Sequence, residues 1–452
     1  MIPQRLSEVA RLLGGELHGD DVLVDGPAYV DSRAPEPGGL FVAIAGERVD
    51  GHRYADGAHA VLGSRPTAAP TVVVPDVTVG LGRLARAAVD RLGVPVLAVT
   101  GSQGKTGTKD LLAYVLGASA VATRANNNNE LGVPLTVLRA DAATRELVLE
   151  MGARGIGHIA YLCEVAPPTV SAVLNVGTAH VGEFGGVEAI AAAKGEIVEA
   201  LDPDGTAVLN ADDHRVAAMA SRTRGRVLTF GQEGDVCWRG LALDALGRPS
   251  YELGHAGAWA AVAMRQTGAH QVLNAAAAAA MALAVGRGLD EVAERLSTAE
   301  ASSPWRMELT ERADGLLVLN DAYNANPGSM VAALDALRAL GRDRPGRTVA
   351  VLGEMKELGD DHDRGHDEVG RAAGGPEAVD AVVVVGEAAR GIAEGARAAG
   401  VGEVIVTAGR DEAVAWVREN AGAGDAVLVK ASRAAALEVL AAALLEEGDD
   451  AR

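Results

Sequence analysis

Apolar and polar positions along the chain fall into three regimes. The first ~90 residues carry short apolar runs at 40–44 and 71–74, each broken by Gly, Pro or Asp, without sustained strand–helix alternation. A helical stretch over 81–91 then leads into Gly93-Val94-Pro95, whose composition predicts a hinge. From residue 94 the pattern changes. VPVLAVT is a continuous apolar run, GSQGKTGTKD a polar glycine-rich turn, and LLAYVLGASA a helical stretch. Further buried strands are predicted at 147–150, 170–176 and 206–210 with helices between them, and two helices, an Ala-rich one over 272–285 and another over 289–298, close the region. Continuous rather than alternating apolar strands predict a parallel sheet covered on both faces. After Arg312 the alternation restarts through LLVLND, TVAVLG, AVVVVG, EVIVT and AVLVK, with helices from Ser329, near His366 and after each later strand. That pattern predicts a second doubly wound unit. No repeat of fixed period is visible, and the charged tail EEGDDAR is expected to fray.

The expectation is therefore an α/β protein of three domains: a small α/β unit over 1–90, a central P-loop-type parallel-sheet unit over 91–313, and a Rossmann-like unit over 314–452. Composition narrows its partners. With 48% hydrophobic and 23% charged residues the chain is ordinary globular material, and 3% aromatics leave Ala, Val and Leu to build the core. A net charge of −20 repels a nucleic-acid backbone or an anionic membrane, and few aromatic platforms argue further against nucleic-acid binding. Cys163 and Cys237 match no metal or redox spacing and read as small buried hydrophobes in a reducing compartment. Glu8 and Arg11 interrupt any signal-peptide core, and the longest apolar run, 275–285, is too short to span a bilayer. A cytoplasmic monomer is expected, with no membrane insertion.

The strongest chemical signal lies between a buried strand and a helix, in Thr100-Gly101-Ser102-Gln103-Gly104-Lys105-Thr106-Gly107. Glycines let backbone N–H groups close around phosphate oxygens, and a helix N-terminus adds partial positive charge. Lys105 can reach terminal phosphates and the Thr106 hydroxyl can join a Mg²⁺ shell, although the loop is shorter than the general GxxxxGK[ST] pattern. Glu150 ends a predicted parallel strand, where α/β sheets place their ligands, and its carboxylate can hold Mg²⁺ there.

TGSQGKTGTK resembles the ATP loop of the Mur ligase family, the ATP-dependent amide ligases of peptidoglycan precursor synthesis. The likeness continues through NNNNELGVPLTVL, LEMGARGIGHI, NVGTAHVGEFGGVEAIAAAKGEI, LNAAAAAAMALA, PWRMEL, NDAYNANPGSM, VLGEMKELG and LVKASR, in the order expected of that family. EMGARGIGHI and DAYNANP point within it to addition of D-alanyl-D-alanine to UDP-N-acetylmuramoyl-tripeptide, with ATP becoming ADP and phosphate through an acyl phosphate. The resemblance implies Mg²⁺ ligation by Glu150, His180 and a CO₂-derived carbamate on Lys194, a residue that would otherwise read as a snorkelling lysine on an Ala-rich helix. It implies that Asn274 reads adenine, that Arg306 stabilises the transferring phosphoryl, and that Asp321 binds ribose with Tyr323, Asn324 and Asn326 lining the cleft. It sets Asn128 and Asn129 near substrate and metal, Lys430, Ser432 and Arg433 at a peptide carboxylate, and Ser32, Arg33, Asp50, Gly51 and His52 at the uridine diphosphate.

Four departures from the family pattern stand out: ANNNN over 125–129 in place of a run nearer GNYNN, Gln271 in place of the usual Asn, Trp305 in place of Gly, and Ala431 in place of Gly. The residues taken alone keep other readings open. The 126–129 carboxamides read as a turn, the segment before Pro327 as an Asx-rich turn, and His362 with His366 as a solvated helix start rather than a zinc pair. Two alternatives to this ligase remain. One is a family relative adding diaminopimelate, lysine or glutamate; the other is a P-loop switch that catalyses no ligation.

Overall fold

The computed structural model describes residues 1–46, 49–177 and 184–446, and three sheets organise them. The N-terminal sheet runs in the order Glu16–His18, Thr71–Val73, Ala60–Gly63, Leu40–Val42, Ala28–Tyr29, parallel except for its first pair. The helix Val77–Leu92 follows. Asp76 caps it by accepting from the Val79 N–H at 3.0 Å, so it starts upstream of the apolar stripe that marked residue 81, and Gly93 at φ 63° ends it. Its other face packs on Gly132–Val137 and His158–Val165 of the central unit. Gly82 permits that approach, because a Cβ there would lie 2.7 Å from the Tyr161 hydroxyl. The apolar core is accordingly continuous from Leu6 and Val9 through Leu81 and Leu84 to Val133 and Leu162.

The central sheet has nine strands. From one edge it runs Ala120–Ala122, Glu146–Glu150, Val96–Thr100, Val170–Val173, Thr206–Asn210, Arg226–Phe230 and Val236–Leu243 in parallel, then Pro249–His255 and Ala258–Ala263 antiparallel. The inner strands Val96–Thr100, Glu146–Glu150, Val170–Val173 and Thr206–Asn210 are buried at every position, as a sheet covered on both faces requires. The antiparallel extension has the opposite pattern and lies outside the continuous apolar runs. Along Pro249–His255, Tyr251 and Leu253 are buried while Ser250 and Glu252 are exposed, and a search for continuous apolar runs passes over such alternation. Residues 118–120, read as helical, lie beyond a helix that spans Lys105–Leu116 and stops at Gly117, where φ is 90°. The Ala-rich helix, Gln271–Ala284, packs its small side chains against Lys105–Leu116.

The C-terminal sheet is ordered Glu308–Glu311, Leu317–Asn320, Ala426–Lys430, Thr348–Gly353, Ala381–Val385, Glu403–Thr407, parallel apart from its first edge strand. Helices His362–Ala373 and Arg390–Ala398 cross on it with their backbones nearly touching. A Cβ on Gly370 would lie 2.1 Å from the Ile392 carbonyl oxygen, and one on Gly395 would lie 2.2 Å from that of Asp367. His366, in the first of these helices, is fully buried. Its Nε2 accepts from the Met355 N–H at 3.0 Å and its Nδ1 lies 2.7 Å from the His362 carbonyl oxygen, so both ring nitrogens are spent on the backbone. No group of three or more potential His, Cys, Asp or Glu metal ligands occurs among the described residues, and no described helix is long and apolar enough to cross a membrane.

Backbone contact at Gly370 leaves no room for a larger residue. Gly370→Val is expected to destabilise the C-terminal unit by about 2 kcal/mol or more, seen as a lowered thermal midpoint. A midpoint equal to that of the parent would contradict this packing.

Candidate active site

The carboxyl ends of the central strands, the turn after Val96–Thr100 and the near edge of the C-terminal sheet enclose one cavity of about 780 Å³. Its floor is the glycine turn. Gly104 at φ 80° swings the chain directly into the helix at Lys105, six residues earlier than the apolar pattern suggested. Asn175, just past the strand Val170–Val173, braces the turn: its Oδ1 accepts from the N–H groups of Ser102 and Gln103, both at 3.0 Å, and its Nδ2 donates to the Gln103 carbonyl at 3.1 Å. Ser102 is held again through its hydroxyl, which accepts from the Gly177 N–H at 2.8 Å. The N–H groups of Lys105, Thr106 and Gly107 then head the helix with no acceptor among the described residues. That arrangement binds anions. The Lys105 ammonium lies over the same turn, 2.7 Å from the Gly101 carbonyl oxygen. Desolvation pulls its pKa below the ordinary lysine value, with Glu150 opposing the shift and Arg306 adding to it.

Glu150 is 2% exposed. Thr106 donates its hydroxyl to one carboxylate oxygen at 2.8 Å, the Asn128 amide donates to the other at 2.8 Å, and the Glu150 N–H is fixed on the Thr123 hydroxyl at 3.0 Å. Both side-chain partners are neutral. A desolvated carboxylate beside a hydroxyl is a hard oxygen donor set, which fits Mg²⁺ bound together with phosphate. Lys194, on the helix Val187–Glu199, also lines the cavity. It is 4% exposed and has no hydrogen-bond or ion partner among the described residues. Burial, followed by the nearby Lys105 charge, drives its pKa well below the usual value and favours the neutral amine. A neutral amine is the form that adds to CO₂, so the residue fits a carbamate. His180 lies outside the described residues.

From the Ala-rich helix, Asn274 presses on the turn. A Cβ on Gly104 would lie 2.5 Å from its Oδ1, and the φ of 80° also favours glycine there; one on Gly107 would lie 3.1 Å from its Nδ2, a tight contact. The Asn274 amide donates to Gln271 at 2.9 Å, which draws Gln271 into the lining as well. The C-terminal unit closes the other side. Gly328, at the head of the helix Pro327–Gly341, lies against the Gln103 side chain. Ser303, in the connection between the units, donates to Asp110 at 2.5 Å. Arg306, Asp321, Tyr323, Asn324 and Asn326 all line the cavity.

Several expected binding residues have structural work of their own. Lys430, expected at a peptide carboxylate, is 2% exposed and spends its ammonium on an internal one: it donates to Asp321 Oδ2 at 2.6 Å and to the Asn324 carbonyl at 2.8 Å. Ser432 accepts from the Lys356 N–H at 2.9 Å, and Arg433 pairs with Glu438 and lies over Trp305. Asn129 caps Gly132–Val137, accepting from the Gly132 N–H at 2.9 Å, and Asn326 caps Pro327–Gly341, accepting from the Ser329 N–H at 2.9 Å. The turn readings of both asparagine clusters therefore describe the local structure, although both clusters also reach the cavity. Ser32, Arg33, Asp50, Gly51 and His52 lie outside its lining, on the N-terminal unit. There Asp50 holds His52 Nδ1 at 2.7 Å and His52 Nε2 accepts from the Ser64 N–H at 2.9 Å. Asp50 also pairs with Arg65, and these contacts keep its carboxyl far below the usual range.

Two residues of quoted motifs acquire roles the sequence reading did not give them. Asn175 is the brace described above. Glu196, two residues beyond Lys194, reaches across to accept from the N–H groups of Gly157 and Ala160 at 2.6 and 2.9 Å. It thereby ties the loop containing Arg154 and the helix that starts at His158, both residues cavity-lining, to the helix that carries Lys194. A buried carboxylate two residues from a candidate metal ligand was the available signal. Trp305, where the family pattern expects Gly, has φ 60°, a conformation that glycine adopts freely and a bulky residue rarely does.

Comparison with known proteins agrees with this geometry. Residues 99–282 match the Mur ligase middle domain, and residues 305–433 match the domain described as Mur ligase, glutamate ligase domain. The chain is 42% identical to the UDP-N-acetylmuramoyl-tripeptide–D-alanyl-D-alanine ligase of Mycobacterium tuberculosis, over 99% of this chain and 98% of that one. It is 35% identical to the ligase of the same name from Escherichia coli, over 99% and 100%. A crystal structure of MurF from Acinetobacter baumannii superposes with a TM-score of 0.88 at 31% identity, covering 98% of this chain and 99% of that one. A MurF ligase of Thermotoga maritima in complex with ADP gives 0.80 at 31% identity, over 93% and 96%. With both family domains in place and full-length relatives at this level of identity, the chain belongs to the Mur ligase family.

Proposed function

We infer that the chain is an ATP-dependent amide ligase that adds D-alanyl-D-alanine to UDP-N-acetylmuramoyl-tripeptide, releasing ADP and phosphate. The observation that carries this reading is one cavity holding an anion-binding helix start, Lys105 and a buried Glu150, with Arg306 on the connection and Asp321 on the next unit facing them. Full-length relatives that bear the name of this reaction support the choice of substrates.

A free carboxylate is a poor acyl donor, which is why ATP enters. An oxygen of the tripeptide's terminal carboxylate attacks the γ-phosphorus and ADP leaves, giving an acyl phosphate. The dipeptide amine then attacks the acyl carbon, loses a proton and expels phosphate. The N–H groups of residues 105–107 and the Lys105 ammonium hold the phosphates, while Arg306 meets charge that develops on the phosphoryl during transfer. Mg²⁺, held by Glu150 and Thr106 together with His180 and a carbamylated Lys194, would neutralise phosphate charge. Asn274 and Gln271 face the adenine side, and Asp321 with Asn324 and Asn326 the ribose side. Lys430, which lines the cavity while holding Asp321, and Arg433, paired with Glu438, are the cations proposed for the dipeptide carboxylate. Ser32, Arg33, Asp50, Gly51 and His52 would hold the uridine diphosphate; of the expected units 1–90, 91–313 and 314–452, the last begins earlier than expected, since the strand Glu308–Glu311 pairs in the C-terminal sheet. Residues from two units complete the site, so closure excludes water from the acyl phosphate. The chain would act as a monomer in the cytoplasm, where ATP is available.

Supplied with ATP, Mg²⁺, UDP-N-acetylmuramoyl-tripeptide and D-alanyl-D-alanine, the protein is expected to release one phosphate per new amide, followed by coupled phosphate and mass assays. Phosphate at background with all substrates present would reject the assignment, and turnover only with diaminopimelate, lysine or glutamate as amine would reassign it within the family. Acceptors ending in diaminopimelate or lysine, in competition, identify the third residue. Lys194→Ala is expected to lower turnover by about 10²-fold or more, with partial recovery on adding short carboxylates. A variant as active as the parent would remove the carbamate from the account.

A further inference from the structure

Arg306 is held in an unusual way. The residues on either side of it, Trp305 at φ 60° and Met307 at φ 50°, both adopt left-handed backbone that non-glycine residues seldom take. Two hydrogen bonds fasten this twisted segment to the start of the next loop: the Tyr323 N–H donates to the Trp305 carbonyl at 3.1 Å, and the Met307 N–H donates to Asp321 Oδ1 at 3.1 Å. Strain of this kind persists only where the surroundings over-determine the conformation. The guanidinium lies over the ring of Tyr323, with its central carbon 3.9 Å from the ring centroid. Among the described residues no carboxylate is ion-paired with Arg306, and its buried Nε has no hydrogen-bond partner.

The chemistry of that contact differs from an ordinary ion pair. A carboxylate would occupy the in-plane N–H donors and compete with phosphate oxygens for them. A ring face holds the cation from above and leaves the edge of the guanidinium free. We propose that Tyr323 is a positioning residue for Arg306: its ring fixes the guanidinium plane so that the in-plane donors meet the phosphoryl group during transfer. The phenol hydroxyl also interacts with Arg306, but the positioning is assigned to the ring face, and the comparison of Y323F with Y323L separates the two contacts. The proposal rests on the role of Arg306 stated under the proposed function, and it adds a source for that residue's orientation.

The test is steady-state phosphate release with all three substrates for Y323F, Y323L, R306Q and the double variant Y323L/R306Q, each checked for the parent thermal midpoint. Y323F keeps the ring and is expected to stay within about two-fold of the parent kcat, whereas Y323L is expected to lose about ten-fold in kcat with the KM for ATP within about two-fold. The double variant should be no slower than R306Q, since Tyr323 acts only through Arg306. Should Y323L fail to reach the parent midpoint, Y323Q is judged by the same criteria. Parent kcat in Y323L, equal damage in Y323F and Y323L, or losses that multiply in the double variant would each overturn the proposal while leaving Arg306 in place. Parent turnover in R306Q would remove Arg306 from the reaction, and the proposal with it.

Discussion

A carboxylate buried at the end of a central strand, bonded among the described residues by neutral groups, is the constraint on which the rest of this structure depends. Glu150 lies at the carboxyl end of Glu146–Glu150, beside the strand that feeds the glycine turn. Its side-chain partners, Thr106 and Asn128, come from the first turn of the nucleotide helix and from the asparagine run. Removing a charge from water costs several kcal/mol unless something offsets it. A cation brought in with a polyphosphate does so, and the same carboxylate fixes the relative positions of the turn, the strand and the asparagine loop. Site geometry and local stability are therefore set by one group.

Around this point the units are joined by contacts that themselves belong to the site. The connection between the central and C-terminal units is tied by Ser303 to Asp110, carries Arg306, and is fastened at Met307 to Asp321. Asp321 is in turn held by Lys430 from the neighbouring strand Ala426–Lys430. A movement of the C-terminal sheet would carry Asp321, Tyr323 and Lys430 together, while the turn around Lys105 stays with the central sheet. The N-terminal unit shares its core with the central one through Val77–Leu92, so the UDP-binding candidates sit on a platform continuous with the His158–Val165 helix.

Much of this was legible in the chain because apolar runs mark buried strands and glycines mark the turn between strand and helix. Lys105, Thr106, Glu150 and Lys194 were found that way or by resemblance, and they line one cavity. Residue type was a poorer guide where a side chain serves the backbone instead of a ligand. Asn129 and Asn326 cap helices, Ser432 fixes the loop at Lys356, and His366 is consumed by Met355 and His362. Lys430 did meet a carboxylate, but an internal one, which no spacing reveals across the ~110 residues separating the partners. The stacking of Arg306 on Tyr323 and the bracing of the turn by Asn175 are tertiary facts, without local pattern. The antiparallel edge of the central sheet alternates in exposure and was hidden from a search for continuous runs.

The central claim is that Glu150 and the turn around Lys105 together form a site for a magnesium-bound nucleoside triphosphate. Calorimetric titration of the intact chain with a non-hydrolysable ATP analogue, with and without Mg²⁺, tests it most directly. The account predicts saturation near one analogue per chain in the presence of Mg²⁺, and affinity reduced by about ten-fold or more when Mg²⁺ is withheld. Folded protein that takes up no analogue in either condition, or that binds it equally well without the cation, would contradict it.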